Sequence, residues 1–130
     1  MRVLFVEDNE INRRVVKEML RAGEIEMSEA EDGQKGLDMI EANDYDLILM
    51  DLRMPGMNGI TAIQHLRARH DAKATLPVIV VTADAGPTID ADCRAAGADD
   101  VLQKPVSMAS LFASIAGLLA SRDGGTMQLT

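Results

Sequence analysis

The sequence predicts an α/β protein built around a parallel sheet, and two patterns lead to this prediction. Short apolar runs alternate along the chain with segments of helical period, which is typical of repeated βα units. Three of the five predicted strands are continuous apolar runs, as expected of central strands covered by helices on both faces. The length of 130 residues and the 47% hydrophobic content suit one domain with a single core.

The five predicted strands are spread evenly over the chain. They are Val3–Val6, Ile25–Met27, Leu47–Met50, Val78–Val81 and Val101–Leu102. The second run alternates between apolar and polar residues, so we expect it to form a half-exposed edge strand.

Apolar residues at helical spacing predict a helix after each strand. Their apolar faces are Ile11, Val15 and Met19; Leu37 and Ile40; Ile60, Ile63 and Leu66; Ile89, Cys93 and Ala96; and Leu111, Ile115, Leu118 and Leu119. Gly23 and Gly97 are placed to end the first and fourth helices, and Asp32 can cap the second. We expect the domain to occupy residues 1–120 and residues 121–130 to form a polar tail or the start of a linker.

Composition narrows the classes of function and location. The net charge of −8 argues against direct binding of nucleic acid, which needs clustered Lys and Arg. Cys93 is the only cysteine, which excludes an intramolecular disulfide and suits a reducing cytosol. The apolar runs are too short for a signal peptide or a membrane span. We therefore expect a soluble, cytoplasmic domain.

Polar side chains follow the predicted central strands where each strand ends. Glu7 and Asp8 follow the first strand, Asp51 the third, Thr82 the fourth and Lys104 the fifth. In an open parallel sheet, ligands bind outside the carboxyl ends of the strands. We therefore expect these five side chains to converge on one edge of the sheet.

Their chemistry indicates a phosphoryl site. Three carboxylates close together repel one another unless a divalent cation with oxygen ligands, such as Mg²⁺, joins them. The Thr82 hydroxyl and the Lys104 ammonium can hold phosphoryl oxygens beside that cation. The Asp51 carboxylate is then the natural nucleophile, because carboxylates form aspartyl-phosphates.

These motifs resemble the response-regulator receiver domain of two-component signalling. FVEDNE, LILMDLRMPGMNG, VIVVTA and LQKPV occur in the order and at the spacing of that family, from Val3 to about Leu119. The segments VEDNEIN and ADDVLQKPV are most similar to the receivers of hybrid histidine kinases. The resemblance implies a (βα)₅ fold with the sheet order 2-1-3-4-5.

The resemblance also implies a role for each site residue. Asp51 would be phosphorylated from a phosphohistidine on a histidine kinase or phosphotransfer protein, and Thr82 and Lys104 would bind the phosphoryl oxygens. Asp8 would bind Mg²⁺ directly, Glu7 mainly through water, and Arg53 through its backbone carbonyl, and Mn²⁺ can substitute. The Lys104–Pro105 peptide would be cis. Such a domain is not a conventional enzyme, but it catalyses its own phosphorylation and dephosphorylation.

Three positions bear on switching in this family. Val101 stands where receivers often have a Tyr or Phe that rotates inward, and it cannot make that movement. Coupling between the phosphorylation site and the protein surface would then be weak or would pass through the backbone of the loop of residues 82–87. Arg53 and Asp84, two residues after Asp51 and Thr82, occupy positions that tune water access, and we hypothesise that they pair and slow dephosphorylation. The signal would leave through the face of the fourth helix, fifth strand and fifth helix.

Other functions fit the residues less well. A phosphatase of the haloacid-dehalogenase type needs a second Asp two residues after the nucleophile, and Arg53 stands there. A nucleotide-binding domain would have a glycine-rich loop after the first strand, whereas EDNEIN has no glycine. The remaining alternative is a pseudo-receiver that binds proteins without phosphorylation, although such domains typically lose the acidic pair, the Asp or the Lys.

Overall fold

The computed structural model describes residues 1–84 and 86–127, without the side chains of residues 122–127. The strands are β1 (Arg2–Val6), β2 (Glu26–Ala30), β3 (Leu47–Asp51), β4 (Val78–Thr82) and β5 (Asp100–Gln103). The helices are α1 (Glu10–Ala22), α2 (Gly33–Ala42), α3 (Gly59–Arg67), α4 (Pro87–Ala96) and α5 (Met108–Met127), and a 3₁₀ helix spans Ala72–Thr75.

The five strands form one parallel sheet in the order β2-β1-β3-β4-β5, as predicted. β3 and β4 are buried along their whole length, while β2 is a partly exposed edge strand. The register pairs Asp51 with Val81 and Thr82 with Gln103, so the last residues of β3, β4 and β5 lie at the same edge of the sheet.

Side chains on the two faces of the sheet enter two separate clusters. Leu4 and Val6 pack on one face with residues of α2, α3 and α4, and Val3 and Phe5 pack on the other with residues of α1 and α5. Successive strand residues point to opposite faces, so an apolar run such as Val3–Val6 supplies both clusters. Cys93 is fully buried in α4, consistent with a packing residue.

The helix boundaries follow the predicted signals. As predicted, Asp32 caps α2 by accepting a backbone N–H bond, and Gly23 and Gly97 end α1 and α4. The structure adds Asn9, which caps α1 in the same way. α5 continues past residue 120 to Met127, and residues 128–130 of the predicted tail lie outside the described part of the chain. The division at residue 120 stays a prediction. Within the described residues, none of the helices combines the length and apolar character that a bilayer crossing requires.

The predicted inward face of α1 is wrong for Ile11 and Val15, whereas Met19 is partly buried against the core as predicted. The buried residues are Val16 and Leu20, whereas Ile11 and Val15 are 69% and 47% exposed. The apolar residues of α1 cover more of its circumference than the sheet can bury, and the packing on β1 selects the Val16 and Leu20 side.

The predicted start of β2 is also too early. The Ile25 N–H donates to the carbonyl of Leu20 at 2.9 Å, so this residue closes the end of α1, and the strand starts at Glu26. Glu24, in the intervening turn, has a φ of +59°.

Candidate phosphoryl and metal site

The structure gathers the predicted site around one cavity at the carboxyl edge of the sheet. The cavity has a volume of about 230 Å³ and is lined by Glu7, Asp8, Asn9, Asn12, Asp51, Arg53, Thr82, Ala83 and Lys104. Asp51 and Thr82 are the last residues of β3 and β4 and are only 5% and 1% exposed. Strand ends therefore hold the carboxylate and the hydroxyl on rigid backbone.

Three carboxylates meet in this cavity. One oxygen each from Glu7, Asp8 and Asp51 lies within 4.8 Å of the others. Loss of hydration, a hydrogen bond to Glu7 and the negative charge of Glu7 together raise the pKa of Asp8 above its usual value. The cluster therefore has the oxygen donors and the excess of negative charge that suit a divalent cation such as Mg²⁺.

Lys104 supplies the positive charge opposite these carboxylates. Its Nζ lies 2.6 Å from Glu7 Oε1 and 3.2 Å from Asp51 Oδ1, and the side chain is 19% exposed. Burial alone would lower the pKa of Lys104, but the hydrogen bond to Glu7 and the charges of Asp51 and Glu7 raise it above its usual value. Lys104 is therefore held as an ammonium, nearer to Glu7 than to Asp51.

Backbone contacts fix the positions of Thr82 and Lys104. The N–H of Lys104 donates to the Thr82 carbonyl at 2.7 Å, and the N–H of Asp84 donates to the Thr82 hydroxyl oxygen at 3.0 Å. The Lys104–Pro105 peptide is cis, which confirms the prediction.

The loop after β3 brings Arg53 and Gly59 to the site. The exposed Arg53 side chain forms an ion pair with Asp84, with 2.6 Å between Nε and Oδ2. The predicted pairing is therefore present, while its effect on dephosphorylation and the metal-binding role of the Arg53 carbonyl stay predictions. Gly59, at the start of α3, packs so tightly that an added Cβ would overlap the carbonyl oxygen of Asp51.

Three predicted residues lie beside the cavity and not in it. Val101 and Asp84 line a neighbouring cavity of about 180 Å³ together with Gly86, Ile89, Asp90 and Gln103. Pro105 lines an apolar groove of about 420 Å³ that also includes Lys104. The predicted switch loop includes Ala85, which lies outside the described residues.

The sequence reasoning missed Asn12 and Arg13. The Asn12 amide donates to Glu7 Oε1 at 3.2 Å, while Arg13 donates to the Glu7 carbonyl at 2.7 Å and to the Glu29 carboxylate at 3.1 Å. Only their positions could have indicated them. They lie three and four residues after the cap Asn9, which is about one helical turn from the acidic pair.

Comparison with known proteins decides the family. The family model described as the response regulator receiver domain matches residues 3–116. The chain belongs to the response regulator receiver domain family. It is therefore a receiver domain of two-component signalling, and its five-stranded fold is that of CheY-like receivers.

Relatives of this receiver domain include a much longer protein and one of similar length. It is 35% identical to the sensory/regulatory protein RpfC of Xanthomonas campestris over 122 residues, which are 93% of this chain but 17% of RpfC. It is 37% identical to chemotaxis protein CheY-3 of Vibrio cholerae over 112 residues, 85% of each chain. The receiver domain of the Pseudomonas aeruginosa sensor histidine kinase PA1611, solved with magnesium in its active-site cleft, is 35% identical with a TM-score of 0.77, covering 85% of this chain and 89% of that one.

Proposed function

We propose that this receiver domain accepts a phosphoryl group on Asp51 from a phosphohistidine of a histidine kinase or histidine phosphotransfer protein. The observation that carries the proposal is the contact of Lys104 with both Glu7 and Asp51. This contact places the ammonium that would bind the phosphoryl group in the same cavity as the acidic cluster. The magnesium ion in the PA1611 receiver, which matches this chain over 85% of its length, supports the same metal here.

The proposed transfer needs a nucleophile, an acidic metal site and donors for the phosphoryl oxygens. An Asp51 carboxylate oxygen attacks phosphorus, the phosphorus–nitrogen bond breaks, and its electron pair returns to the imidazole nitrogen. Glu7, Asp8, Asp51 and the Arg53 carbonyl would hold Mg²⁺, or Mn²⁺ in its place, which supplies charge neutralisation at the phosphoryl oxygens.

Thr82 and Lys104 then bind the new phosphate. The Thr82 hydroxyl accepts a bond from the Asp84 N–H, which does not use the hydroxyl hydrogen, so this hydrogen can be donated to a phosphoryl oxygen. The Lys104 ammonium turns from Glu7 towards a second phosphoryl oxygen and forms a charge-assisted hydrogen bond. Hydrolysis by water later resets the domain.

The donor would dock on the exposed apolar side of α1. Ile11 and Val15 are exposed, and Val15 borders the apolar groove that runs to Pro105. Lys104 and Asn12 line both this groove and the acidic cavity, so a helix lying in the groove could present a histidine to Asp51. An apolar helix stripe in such a groove is a common mode of recognition.

The output would use the face formed by α4, β5 and α5. Movement of Thr82 towards the phosphate would pull the following loop and α4. The neighbouring cavity of about 180 Å³ is lined by Val101, and its described lining residues include no aromatic side chain that could transmit the movement. We propose that the loop backbone carries this coupling. We also propose that the domain works in the cytoplasm, a reducing compartment that suits the free, buried Cys93.

Intact-mass spectrometry with acetyl phosphate tests the proposal. The wild-type protein should gain one phosphate with Mg²⁺ and none without it, and Asp51→Asn should gain none. A folded wild-type protein that gains no phosphate in either condition would instead support the pseudo-receiver alternative.

A further inference from the structure

Asn12 contacts the metal site from α1 without being one of its acidic ligands. Its side-chain Nδ2 lies 3.2 Å from Glu7 Oε1, and the same oxygen lies 2.6 Å from Lys104 Nζ. The other oxygen, Oε2, accepts from the backbone N–H of Asn9 at 3.4 Å. Glu7 is 1% exposed, so these donors stabilise its negative charge in place of water.

Phosphorylation would remove the strongest of these donors. Under the proposed function, Lys104 leaves Glu7 to bind a phosphoryl oxygen. Of these three donors, Glu7 would then keep the Asn12 amide and the long Asn9 contact. A buried carboxylate that loses a partner either moves or becomes costly to keep charged.

We infer that Asn12 is a positioning residue that holds the Glu7 carboxylate in its metal-binding orientation while Lys104 is released to the phosphoryl group. This inference rests on the proposed function. Asn12 is suited to the task because it lies within the first two turns of α1, whose start is fixed by the Asn9 cap and by the bond from Arg13 to the Glu7 carbonyl. The amide is thereby aimed from a rigid element.

The inference makes a chemical distinction between two variants. Asn12→Leu keeps nearly the same shape but removes the donor, whereas Asn12→Gln keeps a donor on a longer side chain. Mg²⁺ affinity, measured by isothermal titration calorimetry with beryllofluoride standing in for the phosphoryl group, should fall about tenfold in Asn12→Leu, the lower end for loss of a supporting contact at a metal site. Asn12→Gln should recover part of that loss.

Phosphorylation by acetyl phosphate gives the second readout. The rate for Asn12→Leu should be reduced at low Mg²⁺ and should approach the wild-type rate when Mg²⁺ is saturating. Asn43→Leu is the matched control, because its amide bonds the Met39 carbonyl at the end of α2, away from the cavity. This control should keep the wild-type Mg²⁺ affinity.

The outcomes separate the inference from the proposed function. A wild-type protein that binds Mg²⁺ and is phosphorylated, with an Asn12→Leu variant of equal Mg²⁺ affinity, would overturn the positioning role alone. Equal losses in Asn12→Leu and Asn12→Gln would also overturn it, since they would indicate packing and not donation. A wild-type protein that neither binds Mg²⁺ nor gains phosphate would overturn the proposed function itself.

Discussion

The Arg53 guanidinium donates from Nε to Asp84 Oδ2 at 2.6 Å and so joins the loop after β3 to the loop after β4. Each partner lies two residues beyond a site residue, Arg53 after Asp51 and Asp84 after Thr82. Arg53 also lines the acidic cavity. We propose that the pair restricts the approach of water to a phosphorylated Asp51.

Arg53→Ala should shorten the lifetime of the phosphorylated protein. The pair is exposed and screened by solvent, so its loss should speed the decay by no more than about fivefold. The decay of the phosphorylated mass after removal of the phosphodonor measures this lifetime. Arg21→Ala removes a similar exposed pair with Glu18, remote from the cavity, and should leave the lifetime unchanged. An unchanged lifetime in Arg53→Ala would contradict the proposed role.

Lys104→Met should destabilise the metal-free protein and make its stability more dependent on Mg²⁺. Without the ammonium, the Glu7 and Asp51 carboxylates lose their shared counter-charge, which should lower the free energy of unfolding by about 3 kcal/mol. Thermal unfolding with and without Mg²⁺ measures both effects. Lys17→Met, which removes an ion pair with Glu29, is the control. The same Mg²⁺-induced rise in Tm in wild type and Lys104→Met would argue against electrostatic coupling of Lys104 to the metal site.

Gly59→Ala should distort the backbone at the nucleophile. The added methyl group would overlap the Asp51 carbonyl oxygen, so the free energy of unfolding should fall by about 1–3 kcal/mol. Gly117→Ala is the matched control, because its Cβ would meet no atom within 4 Å, and it should stabilise α5 by about 0.5–1 kcal/mol. Chemical denaturation measures both. If Gly59→Ala raised the free energy of unfolding as much as Gly117→Ala does, the predicted overlap with the Asp51 carbonyl would be contradicted.

Glu29 should make stability depend on pH at the edge of the sheet. A hydrogen bond from Lys17, which outweighs the cost of burial, and a second from Arg13 lower the pKa of Glu29 below its usual value. The folded protein therefore binds this proton more weakly than the unfolded chain does. The stabilisation should be complete above about pH 5 and should be lost as the pH falls through the lowered pKa.

Comparison of wild type with Glu29→Gln tests this pH dependence. The difference in their free energies of unfolding should be at most about 1 kcal/mol near neutral pH, since the pair is partly exposed. The difference should shrink as the solution is acidified below about pH 4. A constant difference across this range would show that the ion pairs of Glu29 contribute no charge-dependent stability.

Strand-end residues were the part of the site that the sequence could predict. The carboxyl ends of parallel strands meet at one edge, so Asp51, Thr82 and Lys104 could be brought together without coordinates. The order of the strands came from the family resemblance, since apolar runs alone do not specify which strands are neighbours.

Helix rotation was the part that could not be predicted. Ile11, Val15, Val16, Met19 and Leu20 form a broad apolar surface, and only packing against β1 decides which of them are buried. The same rotation aims Asn12 at Glu7, a contact that no local pattern specifies. Gly59 was missed for a similar reason, because its constraint comes from backbone eight residues earlier in the chain.

The most direct test of the account is to identify the residue that carries the phosphoryl group. The protein is phosphorylated with acetyl phosphate and Mg²⁺, reduced with borohydride to convert an aspartyl-phosphate to homoserine, and mapped by tandem mass spectrometry. The account predicts homoserine at position 51 and at neither Asp8 nor Asp84, with none formed when Mg²⁺ is chelated. Homoserine at another acidic position, or at position 51 in the absence of Mg²⁺, would contradict it.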